Sequence, residues 1–119
     1  MDRTGNKRAI GTRYEVKAAA YLETLGYRIL KKNYRCRYGE IDLIAMHRGY
    51  LVFVEVKYRR DEKAGSGMDA VDSGKQRRII RAASWYLTEH HRDADTPCRF
   101  DVVSFAGDTI SVIQDAFWC

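Results

Sequence analysis

The sequence predicts a single mixed α/β domain, a small mixed β-sheet flanked by helices in the order α-β-β-α-β-β. Three observations predict it. The chain has 119 residues, and no repeat, low-complexity segment or proline-rich linker divides them, so residues 1–119 read as one domain. A composition that is 45% hydrophobic with a single proline supports a folded core rather than a disordered chain. Two segments carry apolar residues at helical spacing, and four short runs are rich in β-branched and aromatic residues.

From Arg8 to Leu25, the residues Val16, Ala18, Ala19, Tyr21, Leu22 and Leu25 recur at helical spacing, and Gly26 stands where a left-handed cap ends a helix. A basic stretch, Lys31–Arg37, follows. EIDLIAM (40–46) and LVFVEVKY (51–58) flank His47–Tyr50, with Gly49 at a turn position, and read as a β-hairpin. Residues 59–71 form a polar, glycine-containing loop. A second helix begins at Asp72 or Ser73, both good capping residues, and runs to about His90 with Ile79, Ile80, Ala83, Tyr86 and Leu87 inward. Two strands close the chain, RFDVVSF (99–105) and TISVIQ (109–114), joined by a tight turn.

The charge is uneven. Residues 1–60 carry 14 basic and 6 acidic side chains, a net +8, whereas residues 61–119 carry 7 and 10, a net −3. A basic half suits a polyanionic partner, nucleic acid first, although an ordinary solvated surface has the same signature. No apolar run approaches the ~20 residues of a membrane-spanning helix, and no secretory signal is visible. Cys36, Cys98 and Cys119 are odd in number and widely spaced, which fits a reducing, cytoplasmic setting better than a disulfide framework or structural zinc. No P-loop, dinucleotide glycine pattern, Ser-His-Asp or Cys-His arrangement is present.

The hairpin holds the candidate chemistry. A turn centred on Arg48-Gly49 sets His47 against Tyr50, Asp42 against Glu55 and Glu40 against Lys57. One face is then apolar, with Ile41, Leu43 and Ala45 against Val52, Val54 and Val56; the other carries Glu40, Asp42, Glu55 and Lys57 away from the turn. Facing Cβ atoms sit roughly 4.5–5.5 Å apart, so Asp42 and Glu55 repel unless one is protonated or a cation lies between them. A hard divalent ion such as Mg²⁺ meets that need with oxygen ligands. A surface salt-bridge patch is the plain alternative, but such pairs stabilise by only about 0–1 kcal/mol, a weak reason to place charges in apolar strands.

GEIDLI (39–44) and VFVEVK (52–57), with twelve residues between Asp42 and Glu55, resemble the core of the PD-(D/E)xK nucleases, which share the restriction-endonuclease-like fold with the archaeal Holliday-junction resolvases. More closely, the chain resembles the YraN-like family of uncharacterised bacterial proteins. YEVKAAAYLETLGY (14–27), KKNYRCRYGEIDLI (31–44), VFVEVKYR (52–59), GKQRRI (74–79) and RFDVVSF (99–105) carry that likeness in order. The resemblance implies a restriction-endonuclease-like core and a Mg²⁺- or Mn²⁺-dependent endonuclease acting on phosphodiester bonds in DNA, branched or junction DNA among the substrates. Its alternative is a DNA-binding module on the same scaffold with little activity alone. Carried over by position, Asp42 and Glu55 would hold metal, with the Val56 carbonyl a further ligand. Lys57 would orient or activate the attacking water, and Glu15 would supply an additional carboxylate. Ile41 stands where the motif's name expects proline, and Tyr14 where family members often have glycine. Relatives that act as two-fold dimers imply a homodimer.

Several further residues suit nucleic-acid contact. Lys75, Gln76, Arg77, Arg78 and Arg81 crowd the start of the second helix, where positive charge opposes the helix dipole, so phosphate contact and a solvated face are both open. Related nucleases can place a glutamine near the site on this helix, which singles out Gln76. Lys31, Lys32, Arg35 and Arg37 interleave with Tyr34 and Tyr38, which suits phosphate contact and base stacking, or a core role for the rings. Arg59, at the end of VFVEVKYR, joins this set. Asp101 reads as a structural hydrogen-bonding residue, and His90-His91 with Asp93 and Asp95 as a solvated helix end rather than a metal site.

Overall fold

The computed structural model of the protein describes residues 3–59, 73–90 and 96–117, with the side chains of all but 3–12 and 59. Its elements are α1 (Arg3–Thr24), β1 (Arg28–Cys36), β2 (Gly39–His47), β3 (Tyr50–Arg59), α2 (Ser73–Glu89), β4 (Cys98–Ala106) and β5 (Thr109–Phe117). The mixed α/β class holds, with one strand more than expected, since the basic stretch after the first helix is itself β1. Past Arg59, the expected loop at 59–71 lies outside the described residues, as do His91, Asp93 and Asp95.

The strands form one sheet in sequence order, β1-β2-β3-β4-β5. Neighbours are antiparallel except for β3 and β4, which run parallel with α2 as their crossover. Parallel strands need such a crossover, and this one returns the start of α2 to the end where β3 finishes. That connection governs the site.

Each face of the sheet is covered by a helix. Leu51 and Phe53 pack with Ile79, Ala82, Ala83 and Tyr86 of α2. Val52 and Val54 pack with Ala18, Ala19 and Leu22 of α1. Because both faces are covered, residues 51–54 form a continuous apolar run rather than an alternating one. Gly26 ends α1 at φ 91°, with Gly26 N–H donating to the Glu23 carbonyl at 3.1 Å and Tyr27 N–H to the Leu22 carbonyl at 3.1 Å. This paired geometry is a Schellman cap, and the contact between its flanking residues is made here by Leu22 and Tyr27 in the α1 core.

The hairpin register is the expected one from His47–Tyr50 as far as Leu43–Val54, where the pairing of β2 with β3 stops. Glu40 therefore does not face Lys57; it pairs with Arg35 of β1, carboxylate to guanidinium at 3.2 Å. Nor does the apolar alternation continue to Ile41. Leu43 lies under α1 whereas Ile41 and Ile44 lie under α2, so the alternation slips by one at Asp42. The slip coincides with a gap in the β1–β2 ladder opposite Asn33, which adopts φ 56°. Asn tolerates that left-handed geometry better than most residues.

A second polar centre lies at the far end of β2. Asp101, 0% exposed, accepts hydrogen bonds from the Tyr27 hydroxyl (2.6 Å), from Arg99 Nε and Nη2 (both 2.9 Å) and from Asp115 N–H (3.0 Å). Arg99 also reaches Nδ1 of His47, whose ring stacks on Tyr27. Burial, followed by the Arg99 charge, holds His47 below its usual pKa, so neutral Nδ1 accepts from the guanidinium. The structural role expected for Asp101 is the one observed. Among the described residues no buried side-chain nitrogen or oxygen lacks a partner.

Candidate functional site

Where β2 and β3 part, the sheet opens into a cavity of about 350 Å³ whose lining includes Glu15, Glu40, Asp42, Glu55, Lys57 and Lys75. Each arrives for a local reason. Asp42 sits at the slip in β2, and Glu55 and Lys57 occupy alternate positions on β3 just beyond the last hairpin pair. Glu15 comes from α1 on one side of the sheet. Lys75 is the third residue of α2, which the crossover sets over the end of β3.

Asp42 replaces the missing ladder contact, its Oδ2 accepting the Val56 N–H at 2.8 Å. Loss of strand pairing thus fixes the carboxylate as well as exposing it to the cavity. Glu55 is only 6% exposed, yet its Oε1 meets Lys75 Nζ at 2.5 Å and Lys57 Nζ at 3.4 Å. A carboxylate buried this deeply needs such partners, because its lost hydration is otherwise uncompensated.

Burial, followed by the charge of Glu55, pushes the Asp42 carboxyl up to about 8; the Val56 hydrogen bond opposes this without cancelling it. Glu15 is also raised, through burial and then the charge of Glu40. Lys57 is lowered by burial and by the Lys75 ammonium, with Glu55 pulling the other way. For Lys75, burial works downward, but hydrogen bonds to Glu55 and Lys57 hold it above its ordinary value. The cavity thus gathers more carboxylate than it comfortably ionises, beside one restrained lysine and one anchored lysine.

The expected residues divide into two groups. Asp42, Glu55, Val56, Lys57 and Glu15 come together, and Lys75, read from sequence as a phosphate contact, joins them as the partner of Glu55. Lys31, Lys32, Arg35 and Arg37 lie exposed along β1 and its turn, Arg77 and Arg78 are exposed on α2, and Gln76 is half-buried. Tyr34 is core: it packs edge-on against Tyr86 and donates its hydroxyl to Glu89. Tyr38 stays on the surface beside Trp85. The side chain of Arg59 lies outside the described ones.

Sequence reasoning named Lys75 as a phosphate contact but missed its pairing with Glu55, and it did not foresee the wall that Tyr14 and Tyr58 form by stacking at 4.3 Å along the cavity. For that pairing, the signal was the place of Lys75 in the first turn of the crossover helix, whose start lies at the end where β3 finishes.

Among the described residues, no helix is long and apolar enough to cross a membrane, and no three His, Cys, Asp or Glu side chains are grouped closely enough to hold a metal ion by themselves. The carboxylates among the residues lining the cavity are those of Glu15, Glu40, Asp42 and Glu55, with Val56 between Glu55 and Lys57.

Residues 14–105 match the Uncharacterised protein family UPF0102. A UPF0102 protein of Lachnoclostridium phytofermentans is 49% identical over 112 residues, covering 94% of this chain and 95% of its own. One from Syntrophus aciditrophicus is 50% identical over 107 residues, covering 87% and 84%. One from Chlorobium chlorochromatii is 49% identical over 119 aligned residues, covering 92% and 91%. The matched span begins at Tyr14, ends at Phe105 and contains every residue that lines the cavity. The chain therefore belongs to the uncharacterised protein family UPF0102, the YraN-like family whose motifs it carries.

Proposed function

We propose that the protein is a metal-dependent nuclease hydrolysing phosphodiester bonds in DNA, branched or junction DNA among its substrates, with Asp42, Glu55 and Lys57 at its centre. One observation carries the reading: Asp42 and Glu55 are set at a break in the β2–β3 ladder with Lys57 beside them, at the cavity rather than in the core. The donor chemistry fits Mg²⁺ or Mn²⁺. The carboxylates lining the cavity are hard oxygen donors, and burial beside Glu55 holds Asp42 far above the carboxylate range. Asp42 and Glu55 would hold the ion, with the Val56 carbonyl beside them and Glu15 as an outlying carboxylate; the bound ion supplies Lewis-acid polarisation of the phosphate and a more acidic water.

The chain's own residues supply the rest. The Val56 N–H fixes the orientation of Asp42. Glu55 is held by Lys75 and turned toward Lys57. Lys57, less basic than an exposed lysine, donates a hydrogen bond to the attacking water or to the charge that develops on phosphorus-bound oxygen. The basic side chains of β1 and of the start of α2 draw in the polyanion.

A second reading is a DNA-binding module on the same scaffold with little activity alone. The observation that favours it is the Lys75 ammonium at 2.5 Å from Glu55, a cation already seated on the carboxylate. The two separate in a cleavage assay on linear and branched DNA with Mg²⁺ or Mn²⁺, with wild type, Lys57→Ala and Asp42→Asn compared. A nuclease cuts only with metal, and both variants lose cutting while still binding DNA. A wild type that binds DNA but leaves it intact across the metal range is the module instead.

A further inference from the structure

Glu55 holds two cations on one oxygen. Its Oε1 lies 2.5 Å from Lys75 Nζ and 3.4 Å from Lys57 Nζ, and its side chain is only 6% exposed. The Lys75 ammonium also acts on Asp42, which gives up one oxygen, Oδ2, to the Val56 N–H. At the centre of the cavity, two carboxylates thus face two ammoniums. Buried carboxylates need such counter-charge, because their lost hydration is otherwise uncompensated.

A divalent ion would upset that balance. A cation taking Oε1 of Glu55 meets an ammonium already on it, and two cations at contact distance repel strongly in a half-buried site. One ammonium becomes surplus, and the two lysines are not equivalent. Lys57 belongs to β3, whose backbone is paired there with Ser104 of β4, and its side chain is 19% exposed. Lys75 reaches in from the first turn of α2, lies closer to the oxygen and is 34% exposed, so water already meets its side chain. Its flexible four-carbon stem lets the ammonium rehydrate without a move of the helix.

We propose that Lys75 is the cavity's built-in counter-ion: its ammonium holds Glu55 in the metal-free protein and is displaced by the divalent ion, so that Lys75 sets how tightly metal binds. The proposal rests on the nuclease reading for the identity of the cation, and it concerns the affinity of the site rather than chemistry on the phosphate. Lys75 acts through Glu55 and is a positioning residue.

The test is calorimetric titration of Mn²⁺ alone into wild type, Lys75→Gln, Lys75→Met and Lys75→Arg, each first checked for a folded circular-dichroism spectrum. Gln can still donate a hydrogen bond to Glu55 but carries no charge, Met keeps the stem alone, and Arg keeps the charge. Groups beside a metal ligand change affinity by about 10–100-fold. Lys75→Gln and Lys75→Met should therefore bind Mn²⁺ about tenfold more tightly than wild type, and Lys75→Arg within about threefold of it. Should Lys75→Met not fold, Lys75→Gln carries the test. A purely structural lysine predicts the opposite sign, since losing its support for Glu55 weakens the site. Unchanged or weaker binding in the neutral variants overturns the proposal, as does a gain shared by Lys75→Arg. Binding is read without DNA, and cutting of branched and linear DNA is assayed alongside. A gain in affinity in a protein that cuts nothing keeps the counter-ion and loses the nuclease reading. Metal-dependent cutting with no gain in affinity does the reverse.

Discussion

Replacing Asp42 with Asn removes the one group in the cavity whose ionisation most opposes folding. Asp42 ionises near 3.8 in the unfolded chain and is pushed up to about 8 in the folded protein by burial and Glu55. A folded-state value above the unfolded one contributes stability fully present below about pH 4, and that contribution is lost as pH rises through about 8. Each unit corresponds to about 1.4 kcal/mol, so the interval bounds the loss at roughly 5–6 kcal/mol. Lys57 and Lys75 lie beside the pair and water reaches the cavity, so the realised loss should be about 2 kcal/mol. Asn keeps the shape and still accepts the Val56 N–H, but it cannot ionise. In metal-free buffer, the Tm of Asp42→Asn minus that of wild type should widen from pH 4 to pH 9 and reach roughly 6–10 °C. Mn²⁺ at a hundred times its Kd should then raise wild type by about 2.7 kcal/mol and leave Asp42→Asn unmoved. A Tm difference that stays flat from pH 4 to pH 9, or one that narrows, refutes the electrostatic account of the cavity.

The other predictions span both ends of the sheet. Lys57→Ala should keep its fold by circular dichroism and lose cleavage by on the order of a hundredfold or more; unchanged cutting removes Lys57 from the chemistry. Arg99→Met leaves Asp101 buried without its cation and should cost about 3–5 kcal/mol in urea unfolding, without changing metal affinity at the far end of β2. Tyr34→Phe deletes the hydroxyl bonded to Glu89 and should cost about 1 kcal/mol on the same curves. The double variant Arg78→Ala/Arg81→Ala should lower the salt dependence of duplex DNA binding, its log–log slope falling by about 1.8.

The hairpin was readable because its turn and its β-branched runs are local signals. The pairing of Leu43 with Val54 through His47 with Tyr50 follows from where the turn sits. Extending that register by simple alternation failed at Asp42, since alternation supposes an unbroken ladder. The slip there lies opposite Asn33 of a neighbouring strand, which alternation along β2 alone does not register. That strand, β1, was hidden for a related reason. It is an edge, and along Arg28–Cys36 only Tyr34 is fully buried, so the run reads as a basic tract rather than an alternating strand. Lys75 was placed on the right helix, but its contact with Glu55 depends on a parallel crossover, which the strand runs alone do not reveal. The carboxylates were found because acidic residues inside apolar strands are conspicuous under any register.

Calorimetric titration of Mn²⁺ into wild type and Asp42→Asn, with branched and linear DNA assayed for cutting in the same samples, tests the central claim most directly. The account predicts metal binding to wild type that is lost in Asp42→Asn, and cutting that appears only in the tubes where metal binds. Wild type that takes up no metal and leaves both DNAs intact would contradict it and reduce the cavity to an ion-pair cluster held by Lys75.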